Sequence, residues 1–262
     1  MSGAVDAPPV SLRNLPFQLD DGVASRAGIG LIVLASDQSM EREFADILAL
    51  DGVTVFHSRI LNDNEITPET LARMEQRLAP MADLLLPGVE LDVIAFGCTS
   101  ASMVIGEDRV AERIREVRPG IAVTTPITAA FAAFRTLQCN RIGLLTPYRD
   151  DVNLHIRDYV QARGFTVPVM ASFNEPDDRR VARIRIEDVK RAAIELGRRD
   201  DVDSVFISCT NVRAASVIGE IEAEIGKPVT SSNHAMAWHC LRLSGVADTL
   251  PGWGSLFERG LT

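Results

Sequence analysis

Two short segments of the chain repeat one pattern of residues that can do chemistry. Residues 96–102 read FGCTSAS and residues 207–213 read ISCTNVR. Each segment places a cysteine, a threonine and a small polar residue after an apolar, strand-like run. A thiol that precedes a helix lies near unpaired backbone N–H groups and the positive end of the helix dipole. The pattern therefore predicts thiols whose pKa falls below the usual value of about 8.5.

The same turns could also bind an anion. Backbone N–H groups at a helix start can hold a substrate carboxylate or a developing enolate. Two such turns on opposite sides of a bound molecule suit chemistry at one carbon from two faces: one sulfur removes a proton or attacks, and the other delivers a proton. Cys98 and Cys209 are therefore the predicted catalytic residues. A single cysteine is more often a small buried residue, and Cys139 and Cys240, which no repeat supports, are interpreted as structural.

The two cysteines belong to a longer internal repeat with an offset of roughly 112 residues, far longer than the period of a solenoid. Its landmarks, in pairs, are IGL at 29–31 and 142–144, GVTV at 52–55 and GFTV at 164–167, and CT at 98–99 and 209–210. Three landmarks at nearly one spacing indicate two homologous halves that face each other across a cleft.

The elements that position the cysteines alternate between strand and helix. Short, nearly continuous apolar runs predict strands that are buried on both faces. These runs are residues 29–35, 53–57, 92–96, 121–125, 141–146, 166–171, 204–208 and 228–231. The segments between them have the helical period, with apolar stripes at 71–81 after an N-cap at Thr67, at 110–117, at 152–160 after an N-cap at Asp151, and at 212–225 before Gly226. This alternation predicts an α/β fold with parallel sheets.

The composition excludes several classes of function. The chain has 262 residues, 46% of them hydrophobic, and a formal charge of −9. It lacks a basic stripe, which argues against nucleic acid as a partner, and no apolar run is long enough to span a bilayer. The first 27 residues lack a basic start followed by an apolar core. We therefore expect a cytoplasmic protein with a loosely held N-terminal tail and no membrane partner.

The metal-binding and basic residues give no sign of a cofactor. The four cysteines form no CxxC pair, and the four histidines form no HxxxH or HExxH motif, so we expect no metal site. Lys190 and Lys227 are the only lysines and neither ends a predicted strand, which argues against a Schiff base. We therefore expect chemistry without a cofactor.

Four stretches resemble the aspartate/glutamate racemase superfamily. They are IGLIVLASDQSMEREF at 29–44, DVIAFGCTSASMVIG at 92–106, LLTPY at 144–148 and VFISCTNVRAASVI at 205–218. Within the superfamily the chain is most similar to the branch of maleate cis–trans isomerases and arylmalonate decarboxylases. Within that branch it most closely resembles ectoine-utilisation proteins, through ASD at 35–37, LLTPY, and SSNHAMAWHCLRLSGV at 231–246.

The resemblance implies a fold of two pseudo-symmetric lobes that exchange their last elements. Each lobe is a short parallel sheet flanked by helices, and the active site lies in the cleft between them. The implied division is a tail at 1–27, a first lobe at 28–125 and 231–262, and a second lobe at 126–230. A homo-oligomer is also expected, because such assemblies are usual in the family.

The resemblance also implies roles for individual residues. Cys98 would be the nucleophile or first base, and Cys209 the partner acid. Tyr148, which matches a family tyrosine after Thr-Pro, could donate a hydrogen bond to the substrate. Backbone N–H groups would hold carboxylate oxygens at two pairs of residues, Thr99 with Ser100 and Thr210 with Asn211.

Two positions depart from the family pattern. Where maleate isomerases have asparagines, this chain has Asp37 and, upstream of Val181, Asp178. An ionised aspartate can only accept hydrogen bonds, and opposite a dicarboxylate it would bring like charges together. We therefore expect a substrate with one carboxylate and a cationic nitrogen group, either amino-acid-like or ectoine-derived. Asp37 is equally well placed to cap the helix that begins near Ser39.

These observations favour a cofactor-independent isomerase, racemase or epimerase that uses two opposed cysteines on a small carboxylate. A maleate cis–trans isomerase proper is an alternative. An arylmalonate-type decarboxylase ranks lower, because that route uses a single cysteine and Cys98 is present as well. A non-catalytic protein that binds a catabolite between two α/β lobes is the alternative from another class.

Overall fold

The computed structural model describes residues 11–63 and 68–261. In this part of the chain eight strands form two parallel sheets of four. The first sheet has the order β2-β1-β3-β4 and comprises β1 (Ala27–Leu34), β2 (Val53–Ile60), β3 (Val93–Gly97) and β4 (Ala122–Thr124). The second has the order β6-β5-β7-β8 and comprises β5 (Arg141–Thr146), β6 (Thr166–Ser172), β7 (Ser204–Ile207) and β8 (Val229–Ser231).

All eight predicted strands are found, and the matching strand orders confirm the predicted pair of α/β lobes. The strands can be apolar on both faces because helices cover both faces of each sheet. In β1, for example, every residue from Ala27 to Val33 is buried. The observed ends differ from the predicted ends by at most three residues.

Eleven α-helices lie between and after the strands in the described residues. Those of the first half are α1 (Met40–Ile47), α2 (Pro68–Ala72), α3 (Glu75–Asp83), α4 (Thr99–Ile105), α5 (Glu107–Arg115) and α6 (Pro126–Thr136). Those of the second half are α7 (Asp150–Gln161), α8 (Asp178–Val181), α9 (Ile186–Gly197), α10 (Ile218–Ile225) and α11 (Ser232–Leu243). None of these helices is long and apolar enough to cross a membrane.

Three helix predictions need correction. The stripe at 71–81 is split into α2 and α3 by a tight turn, in which the N–H of Met74 donates to the carbonyl of Leu71; Thr67, the predicted N-cap, lies outside the described residues. Asp151 lies inside the first turn of α7, whose N-cap is Arg149, so its charge faces the helix dipole without capping.

The third correction concerns the segment after Cys209. The apolar stripe at 212–225 predicts one helix, but α10 begins only at Ile218, after a 3₁₀ turn at Ala215–Val217. The predicted stop is confirmed, since Gly226 ends α10 with a left-handed φ of 67°, a conformation that favours glycine. The residues between Cys209 and the 3₁₀ turn therefore have no regular structure of their own.

The last helix packs on the first half of the chain. α11 contacts α1, β3 and α6, and its Trp238 is completely buried in one apolar cluster with residues of β1 and α1. α6 contributes to the cores of both halves, through Phe134 on one side and Ala133 on the other. These contacts agree with an exchange of last elements, and the lobe boundaries at 125/126 and 230/231 stay a prediction.

The strand order places a topological switch point in each sheet. In the order 2-1-3-4, the chain leaves β1 toward one edge and later fills the other side with β3. Ligands of open α/β sheets bind beyond the carboxyl ends of the two strands at such a point. In the first lobe these ends lead into Ser36 and Cys98, and in the second lobe into Tyr148 and Cys209.

Candidate active site

A cavity of about 310 Å³ lies where the two switch points meet. Seven of the nine predicted site residues line it: Cys98, Thr99, Ser100, Tyr148, Asp178, Cys209 and Thr210. The other two, Asp37 and Asn211, are buried behind this lining. The fold thus brings residues from both halves of the chain, more than 100 positions apart, to one enclosed space.

Cys98 is held by the helix that it starts. It is the N-cap of α4, where its Sγ accepts the N–H of Ala101 at 3.4 Å, and the hydroxyl of Ser100 lies 3.7 Å from the same sulfur. Gly97 allows this end of β3 to approach α1 closely, because a Cβ there would overlap the side chain of Met40. The hydroxyl of Ser102 donates to the carbonyl of Cys98 at 2.5 Å, which fixes the first turn of the helix.

Cys209 is held by its neighbour Asn211 and by residues farther away in the chain. Its Sγ accepts the N–H of Asn211 at 3.4 Å, and its own N–H donates to the hydroxyl of Ser232 at 3.1 Å. The Asn211 side chain accepts the N–H of Gln38 at 2.9 Å, and the Asn211 carbonyl accepts the hydroxyl of Ser39 at 2.8 Å. The turn around Cys209 is therefore anchored on the loop that follows β1.

Ser232 links the two cysteine turns directly. Its hydroxyl accepts from Cys209 and lies 3.0 Å from the hydroxyl of Thr99. The residue is completely buried at the start of α11. Our prediction of site residues missed Ser232, although its position directly after the last predicted strand was a usable signal.

The predicted low pKa of the thiols is wrong for this structure. Burial raises the pKa of Cys98 to about 11 and that of Cys209 to about 12. The hydrogen bonds from Ala101 and Asn211 lower the two pKa values, as the turns predict, but burial outweighs them. The negative charges of Asp178 and Asp37 raise both values further. The sequence pattern indicated the donors correctly and could not indicate the burial.

Tyr148 lies in the cavity lining with its backbone fixed. Its N–H donates to the hydroxyl of Thr146 at 3.2 Å, and its carbonyl accepts the side-chain amide of Asn153 at 2.9 Å. Burial raises the pKa of the Tyr148 phenol well above its usual range, and its interaction with Cys209 acts in the same direction. The phenol is therefore a neutral donor at physiological pH, and it interacts with the Cys209 thiol.

Asp37 caps α1. Its Oδ1 accepts the N–H groups of Ser39 and Met40, both at 2.8 Å. Its Oδ2 is buried without a hydrogen bond of good geometry among the described residues, although the hydroxyl of Thr210 interacts with the carboxylate. Burial raises the pKa of Asp37 to about 6. The geometry thus shows the capping role that the sequence left open.

Asp178, unlike Asp37, lines the cavity. Its Oδ2 accepts the hydroxyl of Ser36 at 2.7 Å, and its carbonyl accepts the side-chain amide of Asn211 at 2.9 Å. Ser36 in turn accepts from the side chain of Asn62 at 3.0 Å. Ser36 and Asn62 both line the cavity and were not predicted, although Ser36 directly precedes Asp37 in the stretch that carried the resemblance.

A family model for arylmalonate decarboxylase matches residues 29–257 of the chain. The chain belongs to this family. The maleate isomerase of Nocardia farcinica is 29% identical over 241 residues, which cover 88% of this chain and 95% of that protein. This similarity confirms the predicted branch of the superfamily.

Two solved structures confirm the predicted fold. The maleate isomerase Iso of Pseudomonas putida S16 has a TM-score of 0.81 at 27% identity, over 88% of this chain and 98% of that chain. A cysteine-to-serine variant of the Nocardia farcinica maleate cis–trans isomerase with a covalently bound succinylcysteine intermediate has a TM-score of 0.78 at 27% identity, over the same shares of the two chains. These relatives also confirm the predicted enzyme class, an isomerase.

Proposed function

We propose that this protein isomerises a small carboxylate substrate with Cys98 and Cys209, without a cofactor. The observation that carries the proposal is the placement of the two thiols. Each follows the third strand of its own sheet, and both line one cavity. A substrate bound between them presents opposite faces of one carbon to the two sulfurs.

In the proton-transfer route, the thiolate of Cys98 removes a proton from the carbon next to the carboxylate, which leaves an enediolate. Cys209 then gives its own proton to the opposite face. The negative charge that develops on the carboxylate oxygens needs donors already in position. The N–H groups of Thr99 and Ser100 and the phenol of Tyr148 supply them. In the addition route, the Cys98 thiolate bonds to one carbon of a double bond and Cys209 protonates the neighbouring carbon. After rotation about the new single bond, Cys209 takes a proton back from that carbon and the bond from carbon to the Cys98 sulfur breaks, which restores the double bond and the thiolate.

Either route needs a thiolate, and the pKa values set a condition on the substrate. Both thiols are protonated at neutral pH, partly because the Asp178 carboxylate raises their pKa values. A cationic group placed against Asp178 would offset that charge and favour the thiolate. A second carboxylate there would act in the opposite direction.

We therefore propose a substrate with a carboxylate at the thiol end and a cationic nitrogen group at the Asp178 end. The substrate class remains the predicted amino-acid-like or ectoine-derived acid, but Asp178 binds its cationic group in place of Asp37. Asp178, Asp177 and Asp63 all line the cavity. Arg179 lines it as well, and its guanidinium is ion-paired with Asp177 at 2.9 Å and is largely exposed.

The test is Asp178→Asn, with Asp177→Asn as the matched control, because Asp177 lines the same cavity but already has an arginine partner. We expect kcat/KM for acids with an ammonium group to fall about 10- to 100-fold in the first variant, since a charge-assisted contact is lost. Turnover of maleate should stay equal or rise. Unchanged preference in Asp178→Asn would contradict the proposed substrate class.

A decarboxylase is the second candidate, because the matching family model is that of arylmalonate decarboxylase. Decarboxylation of a malonate leaves an enediolate that one cysteine can protonate, so it needs only Cys209. Release of carbon dioxide from a malonate that persists in Cys98→Ser would favour this candidate over the isomerase.

A further inference from the structure

Glu43 is a buried carboxylate that neither predicted mechanism uses. It lies on α1 with 8% of its surface exposed. Within the described residues it forms no ion pair with a basic side chain, and burial raises its pKa. Burying an acid without a counter-ion costs stability unless hydrogen-bond donors surround it.

Three donors surround this carboxylate, and all belong to segments that hold Cys209. Oε1 of Glu43 accepts the N–H groups of Ala214 and Ala215, both at 2.8 Å. Oε2 accepts the side-chain amide of Asn233 at 2.8 Å. The same amide of Asn233 donates to the carbonyl of Thr210 at 2.7 Å. Glu43 is thus connected to both ends of the segment 210–215.

This segment needs such a partner because it cannot satisfy its own backbone. α10 starts only at Ile218, so the N–H groups of Ala214 and Ala215 have no helical carbonyl to bond. α7, the helix after the first strand of the second lobe, corresponds to α1 and offers a contrast. It buries Ile156 and Val160 and no acidic side chain. Cys98 needs no such acid, because the first turn of α4 supports it.

We infer that Glu43 is a positioning residue for Cys209: it holds the segment 210–215 from the first lobe, so that the thiol keeps its place opposite Cys98. The inference rests on the proposed two-cysteine function for its catalytic consequence only. The placement of the thiol can be measured without any substrate.

The experiment compares Glu43→Gln with the parent protein. Glutamine keeps one acceptor oxygen but turns an NH₂ group toward the NH₂ of Asn233. The hydrogen bond from Asn233 to residue 43 is lost, and residue 43 is no longer linked to Thr210 through Asn233. Asp46→Asn is the matched control, because Asp46 is an exposed acid on the same helix, paired with Arg42. Alkylation of Cys98 and Cys209 by iodoacetamide is followed separately by peptide mass spectrometry on the folded full chain.

We expect alkylation of Cys209 to become about tenfold faster in Glu43→Gln, as for a local opening that has become easier, while the rate at Cys98 stays within about twofold. Turnover should show a lower kcat with little change in KM, because the Cys209 thiol that donates the proton is misplaced while substrate binding is kept. Asp46→Asn should match the parent in every measurement.

A lower melting temperature with an unchanged ratio of the two alkylation rates would overturn the inference, because Glu43 would then stabilise the fold alone. If Glu43→Gln does not fold, Asn233→Ala provides the same test, since it frees the Thr210 carbonyl and keeps both backbone bonds of Glu43. An unchanged ratio in that variant also overturns the inference. A changed ratio in a protein that turns over no carboxylate would keep the positioning role and refute the proposed function.

Discussion

The two cysteine turns share a motif and are held in different ways. After Cys98 the chain enters α4 at once, and the turn is completed by Ala101 and Ser102 of that helix. After Cys209 no α-helix begins until Ile218. Apart from the N–H of Asn211, the contacts that hold this second turn come from distant elements: Gln38, Ser39 and Glu43 at and before α1, and Ser232 and Asn233 at the start of α11.

The difference shows how the cleft and the chemistry are coupled. The Cys98 turn can form wherever its own helix forms. The Cys209 turn is complete only when the loop after β1 and the last helix are in place. A change in how the lobes meet would therefore move Cys209 more than Cys98. Variants at the two turns test this contrast.

The cysteines themselves test whether the two turns are equivalent in function. We expect Cys98→Ser and Cys209→Ser each to lower kcat at least about 10³-fold, because residues that act as a unit fail together. Cys139→Ser is the control, since Cys139 is a buried free thiol outside the cavity. Steady-state kinetics on purified protein measures the effect. Retention of more than a tenth of the activity in either active-site variant would show that one cysteine suffices.

Asp37→Asn tests the buried charge of Asp37, whose carboxylate interacts with the hydroxyl of Thr210 in the Cys209 turn. Asparagine keeps the cap of α1 and removes a carboxylate whose pKa burial raises from 3.8 to about 6. Because its pKa is raised, Asp37 binds its proton more tightly in the folded than in the unfolded protein. Its contribution to the free energy of unfolding is therefore complete below the unfolded pKa and is lost as pH rises through about 6. Relative to the parent, the variant should gain about 2 kcal/mol in free energy of unfolding between pH 4 and pH 7.5.

Urea denaturation at the two pH values measures this gain. A difference between variant and parent that stays constant from pH 4 to pH 7.5 would mean that the Asp37 carboxylate does not titrate in this range.

Ser232→Ala tests the bridge between the two turns. It leaves the N–H of Cys209 buried without its partner, which should lower the free energy of unfolding by about 1–2 kcal/mol. Thr99→Val is the comparison, because it removes the other hydroxyl of the pair and leaves the bond to Cys209 intact. Thermal unfolding should place Ser232→Ala below Thr99→Val. Equal melting temperatures would show that the hydrogen bond to Cys209 contributes little.

Local patterns predicted most of the fold. Buried parallel strands appear in the sequence as apolar runs with clear ends, and the internal repeat predicts that the two sheets are related. The failures lie where local structure depends on distant partners. The stripe at 212–225 has helical period, yet Ala214 and Ala215 bond to Glu43 instead of to helical carbonyls.

The candidate site was predicted in the same partial way. The motif and the family resemblance indicated Cys98, Cys209 and Tyr148, because each follows a strand, and the resemblance indicated Asp178 by its place upstream of Val181. Ser232 and Glu43 were missed. Ser232 bonds to Cys209, 23 positions away, and lies beside Thr99, 133 positions away, and Glu43 bonds to residues more than 170 positions away. The direction of the thiol pKa values was also missed, because burial is a property of the assembled cavity.

In the proposed function both thiols act on one substrate. Deuterium uptake in deuterated water tests this, at the carbon next to the carboxylate, in a small acid with an ammonium group such as 2,4-diaminobutyrate. We expect uptake with the parent protein and with Cys139→Ser, and none above background with Cys98→Ser or Cys209→Ser. Uptake at the parental rate in either of the last two variants would contradict it.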